Sequence, residues 1–191
     1  MGKEFSNRLQ HYRWAMFLER FFPDAEYDDI YAIDLGRLRA NGISGLILDI
    51  DNTLAAPNAA KPGDRLLGWL AGAREAGYDI VILSNSGRRR VSEFADGLGI
   101  YAVCRASKPS VHGFIKAARL MGLDRSQACM IGDQLFTDVY GAARIGIYTI
   151  YVKPIQFREL FTVMLKRLPE RIVLHFYHKK QRQALAGTED G

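Results

Sequence analysis

Leu46-Ile47-Leu48-Asp49-Ile50-Asp51-Asn52-Thr53-Leu54 is an apolar run that closes on two carboxylates. The apolar part, residues 43–50, reads as a buried strand. Such a strand should not end in paired acids, because like charges a few ångströms apart repel and each loses its hydration. A metal ion or an incoming phosphoryl group supplies a reason for them. A strand finishing in an Asx turn is the plainer account, and Asp-x-Asp alone does not decide between the two.

The chain around this run alternates strand-like and helix-like segments. After Pro62-Gly63, apolar residues at Leu66, Leu67, Leu70 and Ala73 fall on one helix face, and Gly77 stops that helix. A second strand spans Asp79 to Leu83, and a helix runs from Arg88 to Leu98. Ile100 to Cys104 is a third strand, followed by a helix from Ser110, its cap, to Met121, with Gly122 as the stop. Gln127 to Ile131 is a fourth strand, Thr137 to Ile145 a helix, and Ile147 to Val152 a fifth strand. Repeated βα units of this length predict an α/β protein with a doubly wound parallel sheet and helices on both faces. The chain reads as one domain, 1–191, with extensions at 1–42 and 154–191 outside the pattern. Ala184 to Gly191 reads as a disordered end.

The polar residues then fall at one edge. Asp49 and Asp51 close the first strand, Ser84 and Asn85 the second, Lys108 follows the third, and Asp133 the fourth. Ligands of such sheets bind outside the carboxyl ends of the strands, where strand order reverses. Each residue alone has an ordinary explanation as a cap, a surface cation or a turn. Four strands each delivering one are poorly explained that way.

Composition bounds the partners. Cys104 and Cys129 lie in apolar runs without Cys-x-x-Cys spacing, so they read as core residues of a reducing, cytoplasmic compartment and cannot build a zinc site. No apolar run approaches the ~20 residues of a membrane span, and the N-terminus has no signal-peptide plan. A net charge of +5 favours an anionic partner. Residues 166–182 hold six Lys/Arg and two His against one acid, Glu170. Near the start, Lys3, Arg8, Arg13 and Arg20 interleave with Phe5, Tyr12, Trp14, Phe17, Phe21 and Phe22. Two accounts stand: solvated charge over ordinary packing, or peripheral contact with an anionic membrane surface. No nucleic-acid module accompanies the charge, so no specific nucleic-acid partner is expected.

At this point the residues resemble the haloacid dehalogenase-like (HAD) phosphatase superfamily. The resemblance rests on Asp49-Ile50-Asp51-Asn52-Thr53, Ser84, Lys108, and Asp133 with Asp138. It is closer to the YqeG-type members of subfamily IIIA, through Ser84-Asn85, Lys108-Pro109-Ser110 and Gly132-Asp133-Gln134-Leu135-Phe136-Thr137-Asp138. The lead-in Tyr31 to Asp34 and the exit Lys153-Pro154-Ile155 match as well, so the likeness covers about residues 22–172. Relatives of that group include phosphatidylglycerophosphate phosphatases. Two departures stand out: Ser86 where a second Asn is usual, and Ala142-Ala143 where Gly-Asn is common.

The resemblance implies a Rossmann-like HAD core and a Mg²⁺-dependent phosphatase. Asp49 is then the nucleophile that forms an aspartyl phosphate, and Asp51 the acid–base group. Mg²⁺ is held by Asp49, the carbonyl of Asp51 and Asp133, with Asp138 holding metal waters or orienting Lys108. Asn52, Thr53, Ser84, Asn85 and Lys108 are the phosphate-binding residues, with backbone N–H groups of the turn at 52–53 facing the phosphate. Asp49 to Ser84 is 35 positions and Ser84 to Lys108 is 24, which leaves no room for a cap domain. A capless site in this superfamily suits large or surface-bound substrates, among them a lipid headgroup. Arg88, Arg89 and Arg90 follow the Ser84 loop near the mouth, with Arg88 and Arg89 as candidate contacts for a second phosphate or an anionic headgroup. A phosphatase of a soluble sugar, nucleotide or nucleic-acid phosphate stays open, as does a non-catalytic, membrane-docked module and a location on the inner face of the membrane. A receiver domain shares the sheet but carries its phospho-acceptor after the third strand, where this chain has Cys104-Arg105-Ala106.

Overall fold

The fold is seen in a computed structural model, which describes residues 16–156, apart from 58 and 97, and residues 161–189. The chain forms two compact units, residues 23–158 and a second one of 1–22 with 159–191.

The larger unit is a six-stranded, all-parallel sheet: β1 (Ala25–Tyr27), β2 (Gly45–Leu48), β3 (Asp79–Leu83), β4 (Tyr101–Val103), β5 (Ala128–Gly132) and β6 (Tyr148–Val152). Strand order is β1-β6-β5-β2-β3-β4. The deciding run is thus the central strand, in register Leu48↔Ile82 with β3 and Leu48↔Ile131 with β5. The helices are α1 (Leu35–Ala40), α2 (Asp64–Glu75), α3 (Arg88–Ala95), α4 (Val111–Met121) and α5 (Tyr140–Ala143).

Alternate strand residues build two cores. Leu46, Leu48, Ile80, Ile82, Cys129 and Ile131 pack with Leu66, Leu70, Val91 and Phe94. Ile47, Val81, Leu83 and Met130 pack with Phe114, Ala117 and Ala142. Helices therefore cover both faces, which is why the strands read as continuous apolar runs. Among the described residues, only α2 lies between β2 and β3, and only α3 between β3 and β4, so no cap domain is inserted there.

The sheet departs from the sequence reading in several places. Residues 25–27, assigned above to an extension, form edge strand β1, anchored where Asp24 Oδ2 accepts from the backbone N and Oγ1 of Thr149 at 2.7 and 2.8 Å. Leu67 is exposed, while Leu66, Leu70 and Ala73 are buried. The α3 helix stops at Ala95, before Leu98. Ser110 stands at the start of α4, but its hydroxyl pairs with His112 Nδ1 at 3.1 Å and makes no cap. Gly122 ends α4 at φ +68°, the left-handed stop expected of it. The segment expected as a helix from Thr137 begins instead as a wide π turn, Leu135–Val139, before α5.

In the second unit, α6 spans Phe161–Glu189 and contains Pro169. Phe22 meets Tyr177 edge to face at 5.5 Å, and Lys180 pairs with Glu19 at 2.8 Å. The helix runs through Ala184 to Glu189, part of the 184–191 end expected to be disordered, carried by the helix formers Ala184, Leu185 and Ala186; residues 190 and 191 lie outside the described residues. Phe5, Tyr12 and Trp14 lie outside the described residues. No helix among the described residues is long and apolar enough to cross a membrane.

Candidate active site

Strand order reverses between β2 and β5, and the acids stand at that point. Asp49 follows β2 directly, its N–H extending the ladder to Ile131 O at 3.1 Å. Asp133 follows β5, and the π turn carries Asp138 back toward it. Carboxylate oxygens of buried Asp49, Asp133 and Asp138 all lie within 4.8 Å of one another. The wide turn is the local cause: Asp138 N and Val139 N both bond Gln134 O, while Asp138 Oδ2 accepts from Gln134 N at 3.2 Å.

Lys108 Nζ enters this cluster, 2.6 Å from Asp49 Oδ1 and 2.7 Å from Asp138 Oδ1, and is buried with them. One cation against three acids leaves the group short of positive charge. Burial first, then the charges of Asp138 and Asp133, push the Asp49 carboxyl up to about 7 in spite of Lys108. Burial alone would lower the Lys108 ammonium, but Asp138 and Asp49 outweigh it and keep it charged. Three hard oxygen donors with a charge deficit fit a divalent cation such as Mg²⁺.

The residues expected to bind phosphate make specific contacts within the chain. Asn85 clamps the Lys108 backbone, Nδ2 donating to Lys108 O at 3.1 Å and Oδ1 accepting from Lys108 N at 2.7 Å. Its amide thus holds the lysine in place beside the cis Lys108–Pro109 bond. Asn52, at φ +68°, accepts from Gln156 N with its side chain and from Ile155 N with its carbonyl. The N–H groups of Asn52 and Thr53 donate within the turn, to Ala55 O and Ile50 O, rather than outward as expected. Thr53 Oγ1 donates to Asp133 Oδ1 at 3.4 Å. Ser84 Oγ is buried and accepts from Ser86 N at 3.1 Å.

Asp51 stands at the rim. Ser86 Oγ donates to its Oδ2 at 2.7 Å, and Arg90 Nη2 to its Oδ1 at 2.9 Å. Arg88 and Arg89 are exposed, and Arg89 pairs with Glu93 at 2.8 Å. Of the three arginines expected near the mouth, the one whose guanidinium reaches Asp51 is Arg90. Helical phase was the available signal: Arg90 lies one turn before buried Phe94 and packs on its ring at 5.3 Å.

Gly132 is required by close approach. A Cβ there would meet the Asp138 carboxylate, its Cγ at 2.5 Å. Gly132→Ala should displace Asp138 from Lys108, cut phosphate release at least tenfold and lower Tm. Unchanged activity together with unchanged Tm would contradict this packing.

Residues 11–146 match the model of the haloacid dehalogenase-like hydrolases. The chain belongs to that family, and within it stands with the phosphoric monoester hydrolases. It is 36% identical over 164 residues to "Probable phosphatase YqeG" of Bacillus subtilis, covering 85% of this chain and 95% of that protein. It is 32% identical over 155 residues to the chloroplastic phosphatidylglycerophosphate phosphatase 1 of Chlamydomonas reinhardtii, covering 76% of this chain and 58% of that one. The fold is shared with a crystal structure of an uncharacterized protein from Listeria monocytogenes, at TM-score 0.50 and 20% identity, over 69% of this chain and 98% of that one.

Proposed function

We propose that the whole chain, 1–191, acts as one Mg²⁺-dependent phosphatase that hydrolyses phosphatidylglycerophosphate through an aspartyl phosphate on Asp49. The observation that carries this reading is the buried Asp49–Lys108–Asp138 constellation with Asp133 beside it. Lys108 favours the ionised form of the Asp49 carboxylate against its burial and turns it inward as a nucleophile. Asp51, wetter and separately held, protonates the leaving oxygen and later activates water against the acyl phosphate. Ser84 and Lys108 donate to phosphoryl oxygens. Mg²⁺, held by Asp49, Asp133 and the carbonyl of Asp51, would neutralise phosphoryl charge; Asp138 would orient Lys108 and the metal's waters.

The lipid substrate is supported by the Chlamydomonas relative, by the capless site and by α6. That helix exposes Leu168, Ile172 and Leu185 among basic residues, a pattern suited to the inner face of an anionic membrane. A Mg²⁺-dependent phosphate-release screen tests the reading. Phosphatidylglycerophosphate in mixed micelles should exceed sugar phosphates, nucleotides, a 3′-phosphorylated oligonucleotide and a phosphopeptide in kcat/KM. A soluble phosphoester on top would replace the lipid, and no turnover of any would leave a non-catalytic module.

Metal binding should compete with the Asp49 proton. Its folded pKa, about 7, lies above the unfolded 3.8. The protonated carboxyl therefore supports the metal-free fold fully below about pH 4, and that support is lost as pH rises to about 7. Metal-free protein should thus lose Tm between pH 5 and 8, and the rise in Tm on adding Mg²⁺ should be larger at pH 8 than at pH 6. A Mg²⁺ shift independent of pH in differential scanning fluorimetry would contradict it.

A further inference from the structure

Both carboxylate oxygens of Asp51 are anchored, each by a different side chain. Ser86 Oγ holds Oδ2 at 2.7 Å from the β3–α3 loop. Arg90, in the first turn of α3, holds Oδ1 with Nη2 at 2.9 Å and Nε at 3.3 Å. About a quarter of the Asp51 side chain is exposed, so without these donors it would rotate into solvent.

Arg90 makes this contact against its own interest. Its Nη1 is buried with no hydrogen-bond partner, and an unsatisfied buried donor costs about 1–3 kcal/mol. It is also a cation at the positive end of a helix. Arg88 and Arg89, two positions and one position before it, are exposed and bear no such burial. A buried, unsatisfied donor at one arginine of three, and only at the one that reaches Asp51, marks a functional constraint.

We propose that Arg90, with Ser86, is a positioning residue that locks the Asp51 carboxylate in the orientation for proton exchange with the leaving oxygen. The proposal rests on the reading of Asp51 as the acid–base group. Misalignment of such a group by about 1 Å costs on the order of 10²-fold in rate. The loss should follow the leaving group. An alkoxide must be protonated as it departs, whereas p-nitrophenolate leaves without a proton.

The test compares wild type, Arg90→Gln and Arg90→Lys with Mg²⁺, on an alkyl phosphate and on p-nitrophenyl phosphate, with rapid-mixing kinetics. Arg90→Gln should lose about 10²-fold in kcat on the alkyl phosphate with KM within threefold. On p-nitrophenyl phosphate it should keep a fast first turnover, one nitrophenolate per site, followed by a slow steady state, because water attack still needs Asp51. Arg90→Lys should recover part of the alkyl rate. Equal first-turnover losses on both esters, a rise in KM alone, or no loss would each overturn the proposal. If Arg90→Gln fails to fold, Ser86→Ala removes the other anchor and must show the same split between esters. Wild-type turnover with an unsplit variant sinks this proposal alone; no wild-type turnover of either ester sinks the phosphatase reading and this proposal with it.

Discussion

Asp49→Asn should abolish phosphate release while leaving the fold intact. An amide is isosteric with the carboxylate but cannot attack phosphorus, and loss of a covalent nucleophile costs about 10⁴-fold or more in rate. The fold should not suffer, because the amide oxygen of the substituted side chain can still accept from Lys108 Nζ while one of three crowded buried acids is neutralised. Without metal at pH 8, where wild-type Asp49 carries its charge, the variant's Tm should equal or exceed that of wild type. A purified variant keeping more than a tenth of wild-type turnover would reject Asp49 as the nucleophile. A large fall in metal-free Tm would reject the charge deficit.

Lys108→Met should harm both stability and activity. It removes the ammonium bonded to Asp49 and Asp138 and leaves three buried acids facing one another. Breaking a buried ion pair on one side costs about 3–5 kcal/mol. For a chain of this length that is a fall in Tm on the order of 10 °C. The deficit should be greater at pH 8 than at pH 5, since the acids can take up protons at the lower pH. Mg²⁺ should restore part of the Tm but not the rate, because the donor proposed for the phosphoryl oxygen stays missing. Thermal melts at both pH values, with and without Mg²⁺, separate the two effects. A variant that melts with wild type throughout would show the cluster to be solvated.

Much of this site was legible because the strands are buried on both faces. An apolar run that ends in charge marks a carboxyl end of the sheet, and Asp49, Ser84 and Asp133 follow β2, β3 and β5 where that rule puts them. Strand β1 was not legible, because three half-buried residues, Ala25-Glu26-Tyr27, carry neither alternation nor an apolar run. The uses of Asn85 and Asn52 were hidden for another reason: each amide bonds backbone far along the chain, Asn85 to Lys108 and Asn52 to Gln156. Composition cannot reveal such a long-range match. Charge alone does not separate Arg90 from Arg88 and Arg89; the helix face that Phe94 sets does.

The order in which the strands become available has its own consequence. Asp24, beside β1, finds its partner Thr149 125 positions later, in the last strand of the sheet. During synthesis from the N-terminus, β2, β3 and β4 can associate as they emerge, and β5 can then complete the pair that brings Asp49 to Asp133. The first strand made must wait for the last, and until β6 arrives, β5 presents an open edge. The entropy of closing a loop grows only slowly with its length, so the wait weighs on folding rate and on exposure to aggregation more than on final stability.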